Sequence, residues 1–146
     1  MSDISVRSPA AAGLAGKLRS VYGARTDLAV TAKAKNAVRV LNAAMRSQTI
    51  ALRNIAKERS APCPAAALQV HYSKPPQKFS TDGINEFSAL LLSAVSTYDE
   101  LVSAAEAAWF TAAIDLSERS RLIHSFAGRI LATAKRLAKS KTEVAQ

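Results

Sequence analysis

Between Ile84 and Ala112 apolar residues return at alternating intervals of three and four, through Phe87, Leu91, Ala94, Tyr98, Leu101, Ala105 and Ala108. That spacing stacks them along one side of a helix. Val95, Val102 and Trp109 widen the seam, so a helix opening at Ser80-Thr81-Asp82 carries more apolar surface than one neighbour covers. A helix of this kind is expected at the centre of a bundle. The same repeat would also serve a two-stranded coiled coil, but the alanines of its second half suit close packing inside a bundle. Trp109 and Phe110 are adjacent, which places one in the core and the other toward a loop or a neighbouring subunit.

A second long helix is expected from Asp27 to Arg59, capped by Thr26 or Asp27 and stopped near Ser60 by Pro62 and Pro64. On a wheel of 100° per residue, Lys35, Arg39, Arg46, Arg53 and Lys57 fall within about 40° of one another. Asn42 and Thr49 fill the gaps of this stripe, while Val30, Ala34, Ala37, Leu41, Ala44, Leu52 and Ile55 turn to the other side. No acid lies between Asp27 and Glu58, whereas an ordinary solvated face mixes signs. Lys35 to Lys57 spans roughly 33 Å of helix, close to one duplex turn of about 34–36 Å. The stripe is therefore expected to face phosphates; the competing interpretation is a solvated face that happens to be basic.

The remaining elements are shorter or more loosely specified. Residues 1–8 read as an irregular arm, followed by a helix with Ser8 as N-cap, Pro9 at its first position and Gly23 as its stop. Its apolar edge is narrow, formed by Leu14, Leu18 and Val21, so it is expected to order against a neighbouring subunit or a polyanion, or to fray. Lys17, Arg19 and Arg25 give it cations. From Ser60 to Ser80 runs a loop with Pro62, Pro64, Pro75 and Pro76, a crossover between distant helix ends, with Val70, His71 and Tyr72 as an extended piece. Lys74 and Lys78, near Tyr72 and Phe79, are candidate contacts to a phosphate or a subunit. Asp115 and Glu118 have capping-box spacing and open a last helix from Leu116 to about Lys139. Leu116, Ile123, Phe126, Ile130, Ala134 and Leu137 form its apolar edge, with Arg121, Lys135, Arg136 and Lys139 on another side and Arg129 at the margin. The tail from Thr142 is expected to be loose. The fold class is all-α: a bundle of long helices over residues 27–146, with an N-terminal helical arm over 1–26 and a Pro-containing crossover loop over 60–80.

Charge narrows the choice of partners. The net charge is +9 with a pI near 10.1, and it is segmented: residues 1–60 carry eleven Lys/Arg against three acids, 81–118 seven acids and no base, 119–146 seven bases against one acid. The expected partner is a polyanion, nucleic acid before anionic membrane. Cys63 is the single cysteine, which rules out an intrachain disulfide. No run of eighteen apolar residues exists to span a bilayer. The piece from Pro9 to Gly16 is too weakly hydrophobic for a signal-peptide core, so an intracellular protein is expected.

Enzymatic signatures are missing. His71, His124 and Cys63 form no metal-ligand set, and Gly13 and Gly16 lack the Gly-Lys-Ser/Thr of a phosphate loop. Asp99, Glu100 and Glu106 are more simply ion-pair partners than an acid/base pair, and His124 is expected to be partly buried. Neither an enzyme, a metal nor a cofactor is expected. A helix-turn-helix needs shorter helices, and no aromatics interleave the stripe as a single-strand stacking platform would require. Phosphate contact along a duplex without sequence readout remains.

This layout of Ala-rich helical arm with Lys17 and Arg19, Lys35–Lys57 stripe, long loop and apolar helical hairpin from Thr81 to Lys139 resembles the major coat proteins of archaeal filamentous and rod-shaped viruses. The resemblance covers the whole chain and contains no diagnostic motif. It implies a structural nucleoprotein of the virion and host cytoplasm, wrapping double-stranded DNA held in A-form, as a homo-oligomer or with a related second subunit. The candidate nucleic-acid contacts are Lys17, Arg19, Arg25, Lys35, Arg39, Asn42, Arg46, Arg53, Lys57, Arg121, Arg129, Lys135 and Lys139. A cellular nucleoid protein, or a helical module that binds an acidic protein or an anionic membrane surface, would satisfy the same pattern.

Overall fold

A computed structural model describes residues 3–60, 72, 75–80 and 84–145. Cys63, Val70, His71 and Lys74 lie outside them, as do Thr81 and Asp82. The described chain is predominantly all-α, in the order β1 (Asp3–Val6), α1 (Pro9–Tyr22), α2 (Ala32–Ser60), β2 (Gln77–Ser80), α3 (Glu86–Phe110) and α4 (Leu116–Ala145).

α3 is the central helix, as its repeat demands. Phe87, Leu91, Ala94, Tyr98, Leu101, Ala105 and Ala108 are all buried along the seam, and Leu92, Val95, Val102 and Ala104 are buried beside it. Helices α1, α2 and α4 and strand β1 all pack on it. It begins at Glu86, later than the expected Ser80–Asp82, because Asn85 supplies a better cap. The Asn85 side chain accepts from the Ser88 N–H at 2.6 Å, and its amide donates to the carbonyls of Tyr22 at 2.7 Å and Arg25 at 2.5 Å. One residue thus caps α3 and ties its start to the α1–α2 connection.

Those contacts set the directions of the helices. The start of α3 is tied to the connection that leads into α2, and at the other end the Arg59 guanidinium donates to the Ala112 carbonyl at 3.2 Å. α2 and α3, which pack along each other, therefore run parallel. β2 lies between them in the sequence and pairs antiparallel with β1, Ile4 opposite Phe79. α4 runs antiparallel to α3, with the Tyr98 hydroxyl donating to the Ile123 carbonyl at 2.9 Å.

Several boundaries differ from the sequence expectations. α2 opens at Ala32 because the Thr31 hydroxyl accepts from the Ala34 N–H at 3.0 Å, while Asp27 is taken up in an ion pair with Arg25. The N-terminal segment is not an irregular arm. Residues Asp3–Val6 form β1, and Ala11, Leu14, Ala15, Leu18 and Tyr22 of α1 are buried in the common core, leaving Val21 exposed. The alanines make this apolar face wider than a leucine count suggests. Buried Asp99 holds the junction: its carboxylate accepts from the Ser8 N–H at 2.9 Å, the Ser8 hydroxyl at 2.7 Å and the Arg7 N–H at 3.1 Å. Among the described residues Asp99 makes no ion pair with a cationic side chain. Ser8 in turn caps α1, as expected, accepting from the Ala11 N–H at 3.2 Å.

The α3–α4 turn is a Schellman closure built on alanine. The Ala113 N–H donates to the Ala108 carbonyl at 2.8 Å and Ala112 sits at φ 60°, a left-handed conformation usually given to glycine. Asp115 then caps α4, accepting from the Glu118 N–H at 2.8 Å, and the Glu118 side chain turns to Arg121 instead of completing the box. Leu116 precedes the buried stripe and is 54% exposed. The helical backbone continues to Ala145, beyond the expected end at Lys139.

Leu101→Ala should cost roughly 2–5 kcal/mol by cavity formation, whereas Ala112→Gly should gain about 1 kcal/mol by relieving the left-handed alanine; thermal melts read both. Burial pushes the Tyr98 phenol from 10 up to about 12. A proton held more tightly in the folded state gives a contribution that is complete below pH 10 and lost as pH rises toward 12. Denaturant titrations across that window should show stability falling, and Tyr98→Phe should fall less.

Candidate nucleic-acid interface

The α2 stripe forms as one exposed row. Lys35, Arg39, Arg46, Arg53 and Lys57 are all solvent-exposed on an uninterrupted helix, and none of the first four is held in an ion pair with a described carboxylate. The Arg39 guanidinium is steadied by the Asn36 side-chain oxygen at 2.7 Å. Ala34, Val38, Leu41, Met45, Leu52 and Ala56 bury the helix against the core. The stripe flanks this buried arc and does not stand diametrically opposite it.

That offset changes the two polar residues of the stripe. Thr49 is 4% exposed and its hydroxyl donates back to the Met45 carbonyl at 2.8 Å. Asn42 is half-buried, with its side-chain oxygen enclosed and without a hydrogen-bond partner among the described residues. Both lie on the edge of the row nearest the core, so packing claims them.

The other expected contacts are dispersed. Lys17 and Arg19 are exposed on α1, whose packing partners are α3 and α4. Arg25 pairs with Asp27, which holds its guanidinium pKa above the ordinary value through their hydrogen bond. Arg121 is likewise raised by its hydrogen bond to Glu118. Lys135 and Lys139 are exposed on α4, and Arg129 lies over the Phe126 ring, 5.0 Å from its centroid. α4 meets α2 on the flank away from the stripe, roughly 140° round the helix at 100° per residue. The stripe and the α4 cations are thus two surfaces.

Where α2 and α4 meet, a groove of about 550 Å³ opens. Its floor is Ala37, Val40, Leu41 and Ala132, its rim Lys33, Arg129 and Arg136, with Asn36 and Thr133 between; no acid lines it. Lys33 and Asn36 belong to no stripe in the sequence, and only the docking of α4 brings them opposite Arg129 and Arg136.

On the far side of α4 a pocket of about 280 Å³ is lined by Ser8, Tyr72, Glu106, Arg119, Ser120 and His124 among others. Glu106 is half-buried in an ion pair with Arg119, whose Nε donates at 2.8 Å. Burial, with the nearby Glu106 and Asp99 carboxylates, pushes the Tyr72 phenol up to about 12. His124 is exposed, contrary to the expected partial burial. No group of three potential metal ligands occurs among the described residues, and no described helix is long and apolar enough to cross a membrane.

No protein-family model, curated protein or solved structure matches this chain.

Asn42→Ala removes an enclosed, unpartnered acceptor and improves helix propensity, so it should raise the melting temperature. It should leave the salt dependence of duplex binding unchanged.

Proposed function

We propose that this chain is a structural nucleoprotein subunit that coats double-stranded DNA without sequence preference and self-associates along it. The observation that carries the proposal is the α2 row: five exposed cations on one continuous helix face, free of acids from Ala32 to Lys57. Long side chains at that spacing reach successive phosphates, and released counterions supply the binding free energy. Base recognition is not part of the proposal, which rests on the charge and spacing of the row alone. The proposal extends to a virion coat protein and to an A-form duplex through the resemblance of layout to archaeal filamentous-virus coat proteins. In that setting the apolar surface of α3 holds the bundle together and leaves the basic face of α2 to the duplex.

The test is the salt dependence of binding to arbitrary duplexes. Replacing Arg39, Arg46 and Arg53 together by Gln should flatten the log–log slope by roughly three units, near 0.9 per lost phosphate contact, without altering sequence preference. A parental slope in the triple variant would defeat the assignment to α2.

A further inference from the structure

We propose that each subunit holds two duplex segments at once, the α2 row taking one and a second basic surface across the α2–α4 groove taking the other. The proposal rests on duplex binding in the reading above and adds a second, independent site. A chain so equipped draws separate stretches of DNA together as well as covering them.

The second surface is built from two helices. Lys33 on α2 stands opposite Arg129 and Arg136 on α4 across the groove, and Lys135 and Lys139 extend the cationic face outward along α4. All five are exposed, and none forms an ion pair with a described carboxylate. The sequence has no acid from Arg119 to Lys141 and none on α2 from Ala32 to Lys57, so neither helix supplies a counter-charge at the groove. Like charges gathered on one face repel one another, and a polyanion relieves that repulsion while releasing its own counterions.

The spacing of the second surface matches that of the first. Arg129 and Arg136 are seven residues apart, as are Arg39, Arg46 and Arg53 along the row, which puts them on one side of α4 about 10 Å apart at 1.5 Å per residue. That distance is three steps along a DNA strand at about 3.4 Å each. An anionic membrane fits less well, since the floor of Ala37, Val40, Leu41 and Ala132 consists of short side chains beneath a rim of long cations and offers no projecting anchor. One straight duplex cannot lie along both surfaces. Lys33 is roughly 140° round α2 from the centre of the row, and the exposed outer ridge of α2, where Ala43, Ser47 and Ile50 carry no charge, stands between them. α2 and α4 pack on α3 and on each other, so the angle between the surfaces is fixed. A duplex seated on one is turned away from the other.

Two full-length variants separate the surfaces: Arg39→Gln with Arg46→Gln and Arg53→Gln in the row, and Lys33→Gln with Arg129→Gln and Arg136→Gln at the groove. All six positions are exposed, so the helical circular-dichroism signal should persist. With a duplex of about one helical turn in excess, sedimentation velocity at physiological salt should show the parent binding two duplexes per subunit and each variant one. On beads that carry one duplex, the parent should capture a second, labelled duplex, and each variant should lose that capture. Capture that arose from self-association alone would survive in the groove variant, whose row is intact. A parent that binds a single duplex, or a groove variant that keeps both the stoichiometry and the capture, would therefore overturn the proposal and leave the reading of α2 intact. A row variant that binds no duplex would overturn it as well, because the groove surface would then be no site of its own. A groove variant that still binds two duplexes but no longer binds phosphatidylglycerol vesicles would overturn it in favour of a membrane surface. A row variant that keeps two duplexes while the groove variant drops to one would instead remove α2 as the first site and support the α4 site.

Discussion

The architecture depends on the surface of α3, which is apolar around most of its circumference and cannot be hydrated without large cost. Three helices and a strand have to cover it, and each turns its own apolar face inward. The second half of α3 is rich in alanine, so Ala104, Ala105 and Ala108 allow neighbours to come close while adding little volume of their own. Cations on the covering helices are thereby driven outward. The basic exterior of this chain follows from the apolar interior of one helix.

Polar pins then select one arrangement among those that would bury the same area. Asn85 bonds to the α1–α2 connection while capping α3, and Asp99 gathers two backbone N–H groups and the Ser8 hydroxyl. A buried carboxylate stripped of these donors would be costly, so the N-terminal segment is held where they are. Tyr98 does the same for α4 through the Ile123 carbonyl. All three pins sit on α3 or at its cap, which makes that helix the source of register as well as of burial.

The charge distribution has a corresponding logic. Three of the acids between 81 and 118 are engaged within the subunit: Asp99 by backbone donors and the Ser8 hydroxyl, Glu106 by Arg119, and Asp115 by the start of α4. α2 itself carries no acid from Ala32 to Lys57 beside its row. The two basic surfaces also differ in kind. The row is a straight line of long side chains on one helix, suited to a regular polyanion, whereas the groove is assembled across two helices, its cations standing over an apolar floor.

The sequence by itself determined the helical class, the central place of α3, the Ser8 and Asp115 caps and the face that Lys35, Arg39, Arg46, Arg53 and Lys57 share. Each of these follows from periodicity or local backbone chemistry, which act over a few residues and survive without knowledge of neighbours. The tertiary structure decided what local rules cannot reach. Thr49 and Asn42 share the row's period yet lie against the core, since which edge of a stripe is buried depends on where the partner helix sits. The alanines of α1 became a core face only because α3 supplies a surface for them, and Asp99 became a structural pin only because a residue more than ninety positions earlier arrives beside it. Likewise, Lys33 and Asn36 meet Arg129 and Arg136 across a groove through the crossing of α2 and α4, a relation between helices that no one-dimensional pattern encodes.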